Sequence, residues 1–520
     1  MKYFKTLFFL VLLSWTVTVL LAPLVGAISA AFGLGSETAI GNISAIFLIL
    51  AGFVAFGWVI LEDRLARRSL ASRKLLLLLA AGIWIAGLLL TSLAQNYAQL
   101  LTYQVLTAIG YAAITPLAFS MAMDLTPPED RTKTFGLLDI AALVGAGLGF
   151  LLAGMLVDFV PWNVPFLLIA GLGGAVALCL VRITDPKKGV QDQELGQVLT
   201  EGAEYSYHID RTSLAQMVKR RSNLLLIAVN ALLYLASGSI TYYFIRMMVH
   251  DHGFASSIAV LFFLGTYCFQ AIGCIFWTKR ADRKFATAKS GKVKVLLLPL
   301  LIGLAFLMGA YALGFSVANG WDIGLFAGLL ICGAFFLSSQ IAISFSLLGE
   351  INLPETRATV FSLTTLAQTL GRGGGIFAVG LLFTWVGTYQ WAFVVVCISY
   401  LVAAGVGIPL LTSVPRDLTA VSHILAERAE KLKVEDPISH LSILNAVHLP
   451  LILQSSVLYE DPVELVAERY ILVNLLREAV RAKPDAVPIK RGSEQYFPLL
   501  YIANIISFIL FTVFLFIYLL

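Results

Sequence analysis

Arg372 is the residue whose position in this sequence most strongly suggests chemistry. It lies in GRGGG, near the middle of a long apolar stretch. A charge at the centre of a membrane costs about 2.5–3.5 kcal/mol on insertion scales, which usually marks a functional position. An arginine there can bind a carboxylate or an anionic headgroup through two parallel hydrogen bonds. We predict a substrate contact, with a structural ion pair to Asp139 as the alternative.

A second group of charged residues lies in a phrase that the chain repeats. PPEDRTKTFG and LPETRATVFS share proline, glutamate, arginine and phenylalanine at matched positions. The same offset matches Arg131 with Arg357 and Asp124 with Glu350. Because the prolines end the preceding helix, each arginine can pair with the carboxylates around it. We predict a gate of ion pairs that form in one conformation and break in another, with a solvated loop as the alternative.

Uncharged polar residues complete the candidate substrate site. They are Gln104, Tyr111, Asn230, Tyr234 and Gln340. Each could equally form a hydrogen bond between two helices. Asp139 lies about a turn or two into its own apolar stretch and is assigned to the gate through interhelical pairing, with acceptance of a coupling proton as the alternative.

No catalytic motif accompanies these residues. H-E-x-x-H, G-x-S-x-G and P-loop patterns are missing from the sequence, so we predict no enzyme, no catalytic residue and no cofactor. The five cysteines all fall in apolar stretches without C-x-x-C spacing, which indicates free thiols and no metal site.

The elements that must position these residues are membrane spans. The chain has 520 residues, of which 59% are hydrophobic and only 13% are charged, a composition unlike that of soluble globular proteins. About 20 apolar residues cross a bilayer as a helix. Such runs occur near 8–30, 40–61, 74–92, 99–123, 134–157, 163–183, 223–248, 255–277, 294–316, 322–348, 358–385, 390–412 and 497–520. The first run is assigned as a span, with a cleaved secretory signal as the alternative.

The distribution of basic residues predicts the orientation of the spans. EDRLARRSLASRK after the second span and TKRADRKFATAKSGKVK after the eighth are strongly basic, whereas the opposite connections SLAQNYAQ and WVGTYQ have no Lys or Arg. Basic loops face the cytoplasm. We therefore expect a multi-pass protein in the lipid bilayer with a cytoplasmic N-terminus, and the net charge of +5 requires no nucleic-acid partner.

The repeat extends beyond the charged phrases and predicts two bundles. GAGLG and GRGGG occupy matched positions, and each contains the G-x-x-x-G spacing that lets two membrane helices approach closely. Two six-helix halves that move around a site at the membrane midplane form a transporter architecture. We predict bundles at 1–183 and 223–414, joined by a cytoplasmic linker at 184–222.

The residues after the second bundle do not belong to this plan. Two segments that open with Asp-Pro, and an amphipathic pattern in the second, predict a helical cytoplasmic segment at 415–495. It would cap the inner mouth, bind a partner or pack on the bundle. The final apolar run predicts a thirteenth membrane helix at 496–520, with the C-terminus on the opposite side. An interfacial or subunit-contacting helix is the alternative.

Taken together, the sequence resembles the major facilitator superfamily. EDRLARR is similar to the family's motif G-x-L-x-D-R-x-G-R-R between the second and third helices, with Asp63, Arg64 and Arg67 at matching positions. The resemblance implies an all-α membrane fold of two six-helix bundles related by pseudo-two-fold symmetry. It also implies that these three residues belong to the gate, where Asp63 would brace the loop against the eleventh helix.

Within the superfamily, two stretches resemble spinster-like transporters. They are GYAAITPLAFSMAMDLTPPEDR and DPKKGVQDQEL, and the resemblance implies a lysophospholipid or a related amphiphile as the solute. The fourth span has Gln104 and Tyr111 where these relatives carry a basic and an acidic residue, which leaves a coupling proton as an open expectation.

These observations predict a secondary-active or facilitative transporter that works by alternating access. Its solute would be a small organic molecule of anionic or amphiphilic, lysolipid-like character. The alternative is a membrane receptor or scaffold without transport, which would act through the C-terminal tail.

Overall fold

The computed structural model describes most of the chain up to residue 435. The described residues are 2–34, 38–67, 72–156, 159–183, 185–200, 205, 207, 211–254, 256–313 and 320–435. Those before Gln197, together with Arg211–Ala426, belong to one compact unit, which contains every site discussed below. The predicted span at 496–520 and most of the predicted tail segment lie outside the described residues.

Two bundles of helices form this unit. The N-terminal bundle consists of α1 (Lys2–Phe32), α2 (Thr38–Arg67), α3 (Arg73–Ser92), α4 (Tyr97–Leu125), α5 (Arg131–Leu156) and α6 (Val164–Val181). The C-terminal bundle consists of α9 (Arg221–His250), α10 (Ser256–Thr287), α11 (Gly291–Ala312), α12 (Gly320–Leu337), α13 (Gln340–Glu350), α14 (Arg357–Val386) and α15 (Tyr389–Gly407). The short helices α7 (Gly196–Thr200) and α8 (Arg211–Lys219) lie between the bundles in sequence, and α16 (Leu410–Glu435) follows them.

Twelve segments among the described residues are long and apolar enough to cross a membrane. Helices α12 and α13 together make one of them, so each bundle contributes six spans. Segments of this length satisfy their backbone hydrogen bonds internally, as lipid requires. Helix α16 runs through position 414, where the sequence pattern places the end of the second bundle.

The tenth span differs from its prediction, because it is not one continuous helix. It ends as α12 at Leu337 and restarts as α13 at Gln340. Within the interruption, the hydroxyl of Ser338 donates to the carbonyl of Phe335 over 2.8 Å. Serine hydroxyls compete with backbone amides for such carbonyls, and serine pairs are a recognised cause of helix kinks.

The repeated charged phrases begin two matched helices. Pro128 and Pro354 each open a single 3-10 turn, and α5 and α14 follow directly at Arg131 and Arg357. Proline suits the first turn of a helix because its missing N–H would have no partner there. Both arginines therefore lie at the first turn of a long span, at the same end of the unit as the linker segment Asp185–Gly196, which we call the linker end.

The glycine motifs bring two pairs of helices into close contact, as predicted. Helix α5 packs on α1 and α14 packs on α9. A Cβ atom built on Gly149 would overlap the carbonyl oxygen of Thr16, and one built on Gly375 would overlap the carbonyl oxygen of Leu235. Only a residue without a side chain permits this approach at either position. The two bundles therefore use the same device at matched places.

Candidate functional site

A cavity of about 220 Å³ lies between the bundles, with residues of both bundles in its wall. Trp15 and Asp139 come from the N-terminal bundle, and Tyr234, Gln340 and Arg372 come from the C-terminal bundle. Asp139 and Arg372 are the charged residues among those that line it. A smaller cavity of about 40 Å³ adjoins the same region and also contains Trp15, Tyr234 and Arg372. The two cavities together form the candidate substrate site.

Arg372 lies at the boundary of both cavities and is held by aromatic rings. Its guanidinium carbon is 5.6 Å from the ring centroid of Trp15 on α1 and 5.3 Å from that of Tyr234 on α9. Within the described part of the chain it forms no ion pair, so the alternative pairing with Asp139 is not formed. Cation–π contacts fix the position of a guanidinium while its N–H groups stay free to donate.

The structure brings four of the predicted substrate residues to these cavities. Arg372 and Tyr234 line both, Gln340 lines the larger one and Tyr111 lines the smaller one. The ring of Tyr111 also packs at 5.3 Å from that of Phe47. Trp15 is a lining residue that the sequence analysis did not select, because one aromatic residue in an apolar helix carries no distinguishing pattern.

Two predicted substrate residues lie elsewhere. The amide of Gln104 on α4 donates to the hydroxyl of Thr91 on α3 over 3.2 Å. The side-chain oxygen of Asn230 on α9 accepts a hydrogen bond of 3.0 Å from Gln368 on α14. Both residues are buried, and neither lines the two cavities described above. Both positions therefore carry the interhelical hydrogen bonds that stood as their alternative role.

Two of the predicted gate residues, Arg131 and Arg357, meet at the linker end around Asp192, a linker residue outside the predicted set. The carboxylate of Asp192 lies 2.7 Å from the guanidinium of Arg131 and accepts two hydrogen bonds of 2.9 Å from Arg357. All three side chains are buried, and Asp192 is only 4% exposed. One linker residue therefore joins the first turn of α5 to the first turn of α14.

The charges around Asp192 determine its protonation. Burial by itself would raise the pKa of the Asp192 carboxyl, but Arg357 and Arg131 outweigh burial and hold this pKa below its ordinary value. A carboxylate between two guanidinium groups is stabilised in its charged form. Asp192 is therefore ionised at neutral pH and can bridge both arginines.

Asp124, at the end of α4, links the bundles a second time. It lies 2.6 Å from the guanidinium of Arg73 on α3 and 3.3 Å from that of Arg357 on α14. It also accepts a hydrogen bond of 2.9 Å from the backbone N–H of Gly189 in the linker. Arg357 therefore contacts a carboxylate of the opposite bundle, which the sequence analysis allowed.

Glu350 does not pair with Arg357, although the sequence pattern permitted that pairing. Its carboxylate contacts the ammonium group of Lys292 at the start of α11, and the hydroxyl of Ser346 lies 3.0 Å from the same ammonium. Arg73 meets Asp124 and Ser120 in the same arrangement in the other bundle. In both bundles, therefore, a basic residue at the start of one span contacts a carboxylate at the end of the next span.

Asp282 extends the contact between the bundles. Its carboxylate accepts hydrogen bonds from the backbone N–H groups of Thr132, over 3.2 Å, and Lys133, over 2.9 Å, at the N-terminus of α5. Free N–H groups and the helix dipole favour a carboxylate at this position. Asp282 belongs to ADRK, within the basic connection that follows the eighth span.

Of the residues matched to the family motif, only some can be described. Asp63 is buried near the end of α2, whereas Arg64 is exposed. Arg67 is the last residue of α2, and its side chain lies outside what the structure describes. The adjacent Glu62 forms an ion pair of 2.5 Å with Lys188 of the linker.

Four phenylalanines close the space between the bundles beside these ion pairs. Phe119 of α4 and Phe135 of α5 meet Phe345 of α13 and Phe361 of α14. The rings of Phe119 and Phe345 have centroids 5.0 Å apart, and those of Phe135 and Phe361 are 5.9 Å apart. Each of these two cross-bundle pairs occupies matched positions of the repeat, and all four rings are buried. We call this group the phenylalanine layer.

The geometry describes a central cavity between the bundles and, at the linker end, a set of contacts that join the bundles. Buried ion pairs and the phenylalanine layer both join the bundles there. Separation of the bundles at this end requires that buried charges lose their partners, which costs several kcal/mol unless water reaches them. These contacts therefore hold the two bundles together at the linker end.

Comparisons with known proteins agree with this architecture. The sequence profile described as Major Facilitator Superfamily matches residues 7–372. Protein spinster of Drosophila melanogaster is 23% identical over 68% of this chain and 56% of its own length. Multidrug resistance protein 3 of Bacillus subtilis is 28% identical, over 28% of this chain and 30% of its own length, so the chain spans under a third of that relative.

A solved structure extends the similarity to the fold. The fucose:proton symporter FucP of E. coli superposes with a TM-score of 0.58 at 19% identity, and the match covers 78% of this chain and 98% of that one. The profile match spans most of both bundles, which together contain the twelve segments long and apolar enough to cross a membrane. The chain therefore belongs to the Major Facilitator Superfamily, and it is an integral, multi-pass membrane protein.

Proposed function

We propose that this protein is a transporter of a small organic anion with an apolar part, and that Arg372 binds the anionic group. Arg372 supports this proposal because it is a cation at the cavity wall with no ion-pair partner in the described part of the chain. Its position between Trp15 and Tyr234 leaves the edge of the guanidinium available. A planar guanidinium suits a carboxylate or phosphate through two parallel hydrogen bonds.

The wall of the cavity supports an amphiphilic solute. Besides the two charged residues it contains apolar side chains such as Leu233, Phe263, Leu307 and Leu330. Burial of an alkyl chain against such a wall is favourable by about 25 cal/mol per Å² of apolar surface. An anionic headgroup at Arg372 and an apolar tail on this wall give the lysolipid-like character that the sequence resemblance implies.

We further propose that transport proceeds by alternating access and that the linker end is cytoplasmic. In the state described here the cytoplasmic passage is closed by Asp192, Asp124 and the phenylalanine layer. In the opposite state, the bundles separate at this end, and the solute leaves or enters there. The basic residues of the linker-end loops support the cytoplasmic assignment.

A binding and transport experiment tests the role of Arg372. The thermal stability of the purified protein is first measured with lysophospholipids and alkanoates. Uptake of the anion that stabilises the protein most is then measured in proteoliposomes. We expect Arg372→Gln to weaken binding of that anion about 10- to 100-fold, because a charge-assisted hydrogen-bond pair is lost. Arg372→Lys keeps the charge without the planar geometry and should be intermediate.

The control is Arg246→Gln, which removes the same charge from an exposed side chain of α9. It should bind and transport the anion as the wild type does. The proposal fails if Arg372→Gln retains both affinity and transport, or if only neutral solutes stabilise the protein.

A further inference from the structure

The central cavity contains a second charge, which the proposed function leaves unused. Asp139 of α5 lines the same cavity as Arg372. Within the described residues its carboxylate has neither an ion pair nor a hydrogen bond. Removing an ionised carboxylate from bulk water costs free energy unless a hydrogen-bond donor or a cation contacts it. The cavity is therefore complementary to a cationic group as well as to an anionic one.

The two charges lie at different depths. Helices α5 and α14 both begin at the linker end, at Arg131 and Arg357. Asp139 comes about two turns after the start of α5, whereas Arg372 comes about four turns after the start of α14. At 1.5 Å per residue, Arg372 is thus about 10 Å further from the linker end than Asp139. Asp139 lies toward the closed end of the cavity, and Arg372 lies toward its middle.

A second acceptor lies near the depth of Asp139. Gln340 opens α13, lines the cavity and is only 2% exposed. Its amide nitrogen donates to the carbonyl of Phe336 over 3.3 Å, while its oxygen has no hydrogen-bond partner among the described residues. An ionised carboxylate and an amide oxygen are both acceptors, whereas a guanidinium is only a donor. Asp139 and Gln340 thus offer acceptor oxygens toward the linker end, and Arg372 offers donors near the middle.

We propose that the transported solute is amphoteric, with its anionic group at Arg372 and a cationic group, such as an ammonium, at Asp139. This inference rests on the proposed function and adds a second charge to the solute. The wall contains one acidic and one basic side chain. A solute with both charges therefore neutralises each side chain without carrying net charge into the membrane, where an uncompensated charge is costly.

Matched pairs of probes test this proposal, because the members of each pair differ only in an ammonium group. Binding of 4-aminobutanoate, 6-aminohexanoate and 8-aminooctanoate to the full-length protein is compared with binding of butanoate, hexanoate and octanoate by isothermal titration calorimetry. We expect at least one amino acid to bind about tenfold more tightly than its alkanoate, with an optimum chain length set by the separation of the two charges. Asp139→Asn, which keeps the shape of the side chain, should remove that preference.

The outcomes separate this proposal from the one on which it rests. If Arg372→Gln weakens alkanoates but the ammonium group adds no affinity in the wild type, the solute is an anion only and this inference is overturned. The same holds if Asp139→Asn keeps the preference for the amino acids, or if Na⁺ alone stabilises the wild type through Asp139. If no alkanoate or amino acid responds to Arg372→Gln, the proposed function itself fails.

Discussion

Gly238 on α9 lies directly against Arg372 on α14. A Cβ atom built on Gly238 would be 2.6 Å from Arg372 Cγ and 3.1 Å from Arg372 Cα. The second distance involves the backbone, so α14 itself would have to move to make room for a methyl group. The position of the cavity arginine therefore depends on a glycine in the neighbouring helix.

This contact predicts that Gly238→Ala displaces Arg372. We expect the variant to bind the selected anion about tenfold more weakly and to lose about 1–3 kcal/mol of stability, as over-packed sites do. Gly373→Ala is the matched control, because a Cβ atom there would have nothing within 4 Å. Calorimetry measures the affinity of both variants for the anion, and thermal unfolding measures their stability. Equal losses of affinity and stability in the two variants would contradict this prediction.

Asp192 is predicted to hold the linker end closed. Asp192→Asn keeps the shape of the side chain but removes the charge that Arg131 and Arg357 share. We expect the free energy of unfolding of this state to fall by about 3–5 kcal/mol, because the two buried guanidinium groups would no longer face a negative charge. Asp130→Asn, a change at an exposed carboxylate of the same region, is the control. Thermal unfolding of the two variants at pH 7 should differ clearly.

The pH dependence of that stabilisation follows from the lowered pKa of Asp192. The contribution of this carboxylate is complete above its unfolded pKa of about 3.9 and is lost as the pH falls through the lower folded value. The stability difference between wild type and Asp192→Asn should therefore be constant from pH 7 to about pH 5 and shrink below about pH 4. A difference that disappears between pH 7 and pH 5 would show that another group is responsible.

The phenylalanine layer predicts a barrier to reagents from the linker end. Cys274 of α10 is buried, lines the cavity and lies 3.5 Å from the carbonyl of Gly136. In a variant with Cys274 as its one cysteine, Phe361→Ala should make this thiol react faster with a membrane-impermeant reagent added at the linker end. A shift of about 1.4 kcal/mol toward the open state gives a tenfold faster reaction.

The matched control for that measurement lies on the same helix. Phe377 of α14 is 68% exposed, so Phe377→Ala removes an identical side chain that is outside the layer. In Phe377→Ala, the Cys274 thiol should react as fast as in the single-cysteine variant that keeps both phenylalanines. If both alanine variants leave the rate unchanged, the layer is not the barrier.

Several features of the molecule were predictable because they depend on local sequence. The spans follow from runs of about 20 apolar residues, and glycines four positions apart predict that α5 and α14 each pack closely on another helix. Arg372 could be selected because a charge within such a run is rare. The repeated phrases predicted matched helix starts, and the structure has them at Arg131 and Arg357.

Other features depend on partners that are distant in sequence. Gln104 and Asn230 are polar residues in apolar helices, which is also the pattern expected of cavity residues. In the structure, however, their side chains form hydrogen bonds with neighbouring helices. The break between α12 and α13 was also missed, because Ser338 and Ser339 are common residues within an apolar run. Hydrogen bonds between helices decide these roles, and a single sequence contains no record of which helices are neighbours.

The sequence by itself determined that this chain crosses the membrane in two matched bundles and that an arginine lies within an apolar span of the second. Its periodicity and composition suffice for that, because lipid imposes helices of fixed length on every apolar run. Only the tertiary structure decided that Asp192 of the linker joins Arg131 to Arg357, and that Asp139 faces the same cavity as Arg372. The packing of the bundles determines which charges become partners, even when tens to hundreds of residues separate them along the chain. The reason is that the strength of an ion pair depends on the distance between the charges in space.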